Sequence, residues 1–206
     1  LGLQIAAVTA RPKLPWTFKM LEMREPNAFA LPGGFIYVTT GLLDLQVSDD
    51  ELAGVLAHEA AHVNQRHSAR AIERGLTTAL AAQLILRRAD DITQLAVSLA
   101  LQYGIDLPHS RAAEYEADAL GVRLAYNAGY DRRGLTGFLK RLQALPTATK
   151  APEWMSSHPD TNARIERTTD MAAVLANQPR PVPLALTEAD KQAIKNLPKE
   201  DTSSPK

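Results

Sequence analysis

His58-Glu59-Ala60-Ala61-His62 sets the strongest constraint on what this chain can fold into. Two histidines four residues apart act together only if they share a face, and an α-helix, advancing about 100° per residue, puts them there. From that face both imidazoles can bind one tetrahedral Zn²⁺ at roughly 2.0–2.1 Å. Glu59 follows the first histidine directly. It is near enough to take a proton from a water beside the metal without being a ligand, which is the position of a general base. The pattern is HExxH, whose chemistry is zinc-assisted peptide hydrolysis. The alternative is a surface helix with a coincidental match. Histidine is scarce here, five in 206 residues, which counts against coincidence.

The flanking residues predict a real helix. Ser48-Asp49-Asp50-Glu51 is a Ser-x-x-Glu capping box, and its acidic residues suit the positive end of the helix dipole. Leu52, Val55, Leu56 and Ala60 follow at helical spacing, so the helix is expected from near Asp49 to about Ser68. His67 is rejected as a third ligand. The extended motif HExxHxxGxxH needs a glycine turn and a later histidine. In a continuing helix His67 points about 140° away from His62, so it is expected to be a surface residue or an outer partner.

The better third ligand lies in Ser110-Arg111-Ala112-Ala113-Glu114-Tyr115-Glu116-Ala117-Asp118, a second helix entered from the Pro108-His109-Ser110 turn and expected to end near Asn127, before Gly129. Glu114 and Asp118, at i and i+4, share a face. A carboxylate completing a His/His/Glu set leaves a fourth zinc position open, as in catalytic sites. Asp118 can then accept a hydrogen bond from the outer N–H of a ligand histidine. The alternative is an acidic surface face paired with Arg111 and Arg123. Glu116 faces elsewhere and ranks below Glu114.

These segments resemble the HtpX, BepA and type I CAAX prenyl endopeptidase family of gluzincin metallopeptidases. The match is carried by Glu25-Pro26-Asn27-Ala28-Phe29-Ala30-Leu31-Pro32-Gly33-Gly34-Phe35-Ile36-Tyr37-Val38 with Gly41-Leu42-Leu43, by the HExxH, by Ser110-Arg111 through Glu114 to Asp118, and by His158-Pro159 with Arg164-Ile165. In that family the glutamate of the ExxxD element is the third zinc ligand, which the resemblance places on Glu114. In relatives resembling BepA a histidine of the His-Pro element can fill the open zinc position, which implies a resting-state cap at His158. Other gluzincins use a histidine or arginine to stabilise the oxyanion, a role open to His158 or Arg164. A solvated His158 at a plain helix start, and an Arg164 ion-paired to the acidic cluster, are the structural alternatives.

Phe35-Ile36-Tyr37-Val38 reads as a strand, preceded by a Pro32-Gly33-Gly34 turn that allows positive φ. It is either an edge strand that binds an extended peptide through its backbone, with Asn27, Ala28, Phe29, Gly33 and Gly34 beside the substrate, or an ordinary core strand.

Charge gives no pull toward nucleic acid or an anionic membrane, since Lys plus Arg and Asp plus Glu both number 23. Cysteine is absent, which removes disulfides, thiol ligands and the usual structural zinc site. Thr77 to Leu86 and Ile92 to Leu101 are apolar but too short to span a membrane, and read as two amphipathic helices that cover the core or touch a membrane surface. Residues 1–24 read as one or two strands or a short helix, and Asp131 to Leu145 and Asp160 to Ala176 as helices. The chain opens on Leu1, so a leader or anchor is expected to have been removed.

The expected fold is a predominantly helical α+β zincin-like domain over residues 1–176, with a small sheet packed on the active-site helix. A Pro-rich extension, a short helix from Thr187 and a polar tail follow over 177–206. The expected function is a metalloendopeptidase with one Zn²⁺ per chain on His58, His62 and Glu114, Glu59 as base and a polypeptide substrate. The resemblance implies misfolded envelope proteins as substrates, in a bacterial periplasm or envelope. The alternative is a zinc-bound but proteolytically quiet chaperone or assembly factor. Oligomeric state is left open.

Overall fold

In the computed structural model, which describes residues 1–73, 109–146, 152–159 and 161–179, the N-terminal stretch forms helix α1 (Gly2–Ala7) and strand β1 (Thr17–Leu21). Strands β2 (Ala28–Leu31) and β3 (Phe35–Thr39) follow, joined through Pro32-Gly33-Gly34. Both glycines hold φ at 101°, a conformation that needs the missing Cβ. The sheet order is β1-β3-β2, with β1 parallel to β3 and β2 antiparallel to it. The β-branched and aromatic Phe35–Val38 run is therefore the central strand, flanked on both sides. Strand addition cannot occur there, and the edge beside the helices is β2. The edge reading of Phe35–Val38 is thus corrected in favour of the core strand, for the physical reason that its backbone groups are already paired.

A short helix α2 (Thr40–Leu43) leads to α3 (Asp49–Asn64). Its capping box closes as the sequence predicts. Ser48 Oγ accepts from the Glu51 N–H at 3.2 Å and Glu51 Oε2 accepts from the Ser48 N–H at 2.8 Å. Every residue from Ala53 to Val63 is buried, because the sheet, α1 and two later helices wrap it. Alanine and glycine make this possible. A Cβ on Gly54 would lie 2.4 Å from the Leu135 backbone nitrogen.

The helix stops at Asn64, short of the expected Ser68. Arg66 takes φ 56°, which breaks the ladder, and helical structure resumes at residues 67–73. Helix α4 (Arg111–Asn127) begins at Ser110, whose Oγ caps the Ala113 N–H at 3.2 Å, and ends before Gly129 at φ 92°. Helix α5 (Gly134–Gln143) is shorter than the Asp131–Leu145 run expected. A short helix α6 (Glu153–Ser157) precedes His158, and α7 (Thr161–Val174) ends in a 3₁₀ turn, Leu175–Asn177.

The core gathers Ile5, Ile36, Leu42, Leu135, Phe138, Leu139, Leu142 and Trp154, all essentially inaccessible to solvent. Arg141 on α5 ion-pairs with the capping Glu51 at 2.9 Å, tying the start of α3 to its neighbour. The amphipathic segments expected within residues 77–101, and the extension beyond residue 179, lie outside the described residues.

Candidate metal centre

The helical phase of α3 brings His58 and His62 onto one side, with their Nε2 atoms 3.0 Å apart. Helix α4 crosses close by, because Gly121 leaves room for the His58 backbone; a Cβ there would sit 3.0 Å from His58 Cα. That approach delivers Glu114, whose Oε2 lies 3.5 Å from His58 Nε2 and whose Oε1 lies 3.5 Å from His62 Nε2. His158, at the C-terminal end of α6, places Nδ1 3.3 Å from His58 Nε2 and 3.1 Å from Glu114 Oε2. One ligand atom from each of these four buried residues lies within 4.8 Å of the others.

The donor set fits a small divalent cation. Three imidazoles and a carboxylate are N and O ligands of the kind zinc takes in tetrahedral sites. Beside them Glu59 is buried, and among the described residues its Oε1 has no hydrogen-bond partner; His158 Nε2 lies 3.5 Å away. Leaving a buried carboxylate oxygen unpaired costs about 1–3 kcal/mol or more, so such an atom is commonly explained by function.

Around the cluster the outward-facing nitrogens of His58 and His62 each have a partner. His58 Nδ1 lies 3.0 Å from Asp118 Oδ1, the arrangement expected from the sequence. Arg164 grips Asp118 with two hydrogen bonds, Nε to Oδ2 at 2.8 Å and a terminal nitrogen to Oδ1 at 2.7 Å. Its other terminal nitrogen lies 2.9 Å from Glu114 Oε2 and donates to the His158 carbonyl at 3.1 Å. The guanidinium also sits 4.7 Å over the Trp154 ring, which stacks on His158 at 4.6 Å. His62 Nδ1 faces His67 Nδ1 at 3.0 Å, and the His109 ring stacks on His62 at 4.1 Å. All five histidines of the chain thus meet in one place.

The electrostatics divide the roles. Burial and Arg164 act against a charged His58, but hydrogen bonds to Asp118 and Glu114 outweigh them and raise it to about 9. Burial, joined by His58, drives His62 well below its ordinary value. Burial would raise Glu114, yet the neighbouring His158 and His58 hold it well below the usual carboxylate range. Glu59 is pushed up, chiefly by burial.

The edge of β2 faces this cluster across a cleft. Phe29, Ala30 and Leu31 line one wall, and Glu59, His109 and His158 line another. Gly33 borders an adjoining hollow that reaches His62. Asn27 sits at the head of β2 with its N–H donating to Thr39 Oγ1 at 2.9 Å. Ala28 is buried opposite Val38, and Gly34 accepts from the Thr17 N–H at 2.9 Å, so both belong to the sheet's frame. The sequence reading missed Trp154, the wall behind His158, and gave His109 no role at the site. The scarcity of histidine was the one available signal for His109. Trp154 had none.

The model of Peptidase family M48 matches residues 1–172. The chain is 36% identical over 166 residues to the mitochondrial metalloendopeptidase OMA1 of Schizosaccharomyces pombe, covering 80% of this chain and 49% of that protein. It is 35% identical over 175 residues to a putative beta-barrel assembly-enhancing protease of Vibrio cholerae, covering 80% and 36%. Against the beta-barrel assembly-enhancing protease of Yersinia pestis it is 31% identical over 199 residues, covering 91% and 40%. The chain spans between a third and a half of the length of these relatives. With the HExxH helix, the glutamate of α4 and a match over most of its length, the chain belongs to peptidase family M48.

Proposed function

We propose that this chain is a zinc-dependent metalloendopeptidase in which His58, His62 and Glu114 hold one Zn²⁺ and Glu59 is the general base. The observation that carries the reading is the buried Glu59 carboxylate beside the four-residue cluster, its Oε1 without a hydrogen bond among the described residues and 3.5 Å from His158 Nε2. When bound, zinc supplies a Lewis acid that polarises the scissile carbonyl and eases deprotonation of water near neutral pH.

The chain's own groups do the rest. Glu59 accepts a proton from the attacking water and returns it to the leaving amine, a transfer suited to a carboxylate whose burial raises its pKa. Asp118 holds His58 by its outer nitrogen, and Arg164 holds Asp118 and Glu114 by ion pairing. The edge of β2, which pairs with no further strand among the described residues, binds the substrate as an added strand, with Phe29 and Gly33 beside it and Asn27, Ala28 and Gly34 setting the frame. His158 caps the cluster in a resting state, supported by its 3.1 Å approach to Glu114. Misfolded or misassembled envelope proteins in a bacterial periplasm are the proposed substrates, supported by relatives named beta-barrel assembly-enhancing proteases. Among the described residues no helix is long and apolar enough to cross a membrane.

Glu59→Gln tests the mechanism. Turnover of unfolded casein is expected to fall by about 10²–10⁴-fold, with zinc retained at one equivalent per chain. A variant of full activity would remove Glu59 from the chemistry. The buried His158 favours one other reading, a proteolytically quiet chaperone, which predicts no casein hydrolysis by the native protein and client binding unaltered by Glu59→Gln.

A further inference from the structure

An imidazole that offers Nε2 to a metal must satisfy its Nδ1–H elsewhere. For His58 the partner is a carboxylate, Asp118. For His62 it is another histidine: His67 Nδ1 stands 3.0 Å from His62 Nδ1, and His67 Nε2 stands 3.2 Å from Glu116 Oε2. We infer that His67 and Glu116 form a two-residue relay that fixes the tautomer and orientation of His62, so that both ligand histidines are backed by a carboxylate of α4, one directly and one through a neutral imidazole.

The proton positions follow from the chemistry of the atoms. An ionised carboxylate only accepts, so His67 Nε2 carries the hydrogen and donates it to Glu116. That leaves a lone pair on His67 Nδ1, which accepts from His62 Nδ1–H. His62 Nε2 is then left with its lone pair facing His58 and Glu114. This assignment satisfies every contact in the row.

The backbone is arranged to suit. In a continuous helix His67 would point about 140° away from His62. Instead α3 ends at Asn64 and Arg66 adopts φ 56°, a left-handed conformation that costs a non-glycine residue roughly 1–2 kcal/mol. The turn brings the His67 ring back to 4.9 Å from that of His62 and leaves it 6% exposed. Gln65, in the same turn, donates its side-chain amide to the other Glu116 oxygen. Glu116 is therefore clamped from both sides of the break, although its own side chain is half exposed.

The inference rests on the zinc reading, and zinc affinity separates the two. The full chain is titrated with Zn²⁺ against a chromophoric chelator, and the visible spectrum of the Co²⁺-substituted protein is recorded. His67→Leu is expected to weaken zinc about 10–100-fold and to shift the cobalt bands. His67→Asn, whose Oδ1 replaces Nδ1 as acceptor, should restore most of the affinity. Glu116→Gln alters a half-exposed side chain and keeps the fold, and it should weaken zinc several-fold. His67→Leu with native affinity and an unchanged spectrum, or His67→Asn as weak as His67→Leu, would overturn the relay. If His67→Leu fails to fold, Glu116→Gln decides, and native affinity there overturns it. A native chain that binds no zinc would instead bring down the metal site itself, and the relay with it.

Discussion

His158 sits at the end of a five-residue helix with its ring stacked on Trp154 and its Nδ1 among the ligand atoms of His58, His62 and Glu114. Three ligands suffice to hold zinc in a catalytic site, so a fourth imidazole competes with water and substrate. His158→Ala is therefore expected to keep zinc at one equivalent and to raise casein cleavage about tenfold, which corresponds to removing a cap worth roughly 1.4 kcal/mol. A fall of about 10²-fold or more would assign His158 to oxyanion stabilisation instead. His58, His62, Glu114 and Asp118 were legible in the sequence because each pair is four residues apart on a helix, where period alone sets the face. His67 was not. Its direction depends on the left-handed Arg66, and arginine carries no signal for that conformation.

Between elements, α3 packs closely on α5, where Gly54 meets the backbone of Leu135. Glycine inside an exposed helix is about 1 kcal/mol worse than alanine. Gly54→Ala would stabilise α3 if propensity decided the matter. The added Cβ would lie 2.4 Å from the Leu135 nitrogen, with no flexible side chain to give way. Overpacking of this kind costs typically 1–3 kcal/mol, so the variant is expected to lose about 1–2 kcal/mol on chemical denaturation. A gain would show that α5 can retreat. Cap and period made α3 and α4 readable from the sequence. The sheet order was not readable, because the run Phe35–Val38 looks the same at an edge as in the centre. Only the pairing of β1 and β2 on its two sides decides it.

Across the whole molecule, the proposed zinc ligands come from α3 and α4, and His158 adds the end of α6. A cation held there cross-links parts of the chain far apart in sequence. Ligand that binds only the folded state adds about 4 kcal/mol at a thousandfold excess over its dissociation constant. For a domain of this size each kcal/mol moves the melting midpoint by about 2–4 °C. Chelation is therefore expected to lower the midpoint by roughly 8–16 °C, read by calorimetry and reversed by added zinc. An unchanged midpoint would remove the metal from the forces that hold the fold. The edge of β2 bears on which chains such a molecule would attend to. Its outward-facing residues, Ala28 and Ala30, carry backbone groups away from β3, and every polypeptide carries the same backbone. In the proposed mode of binding, that edge would sort chains by whether they can lie extended across it. A marginally stable native protein is open in only about 10⁻³–10⁻⁶ of its molecules, whereas a stalled or damaged chain is open continuously. On that proposal, discrimination would be made by the client's own folding equilibrium, and the peptidase would act as a timer that runs only while a chain stays open.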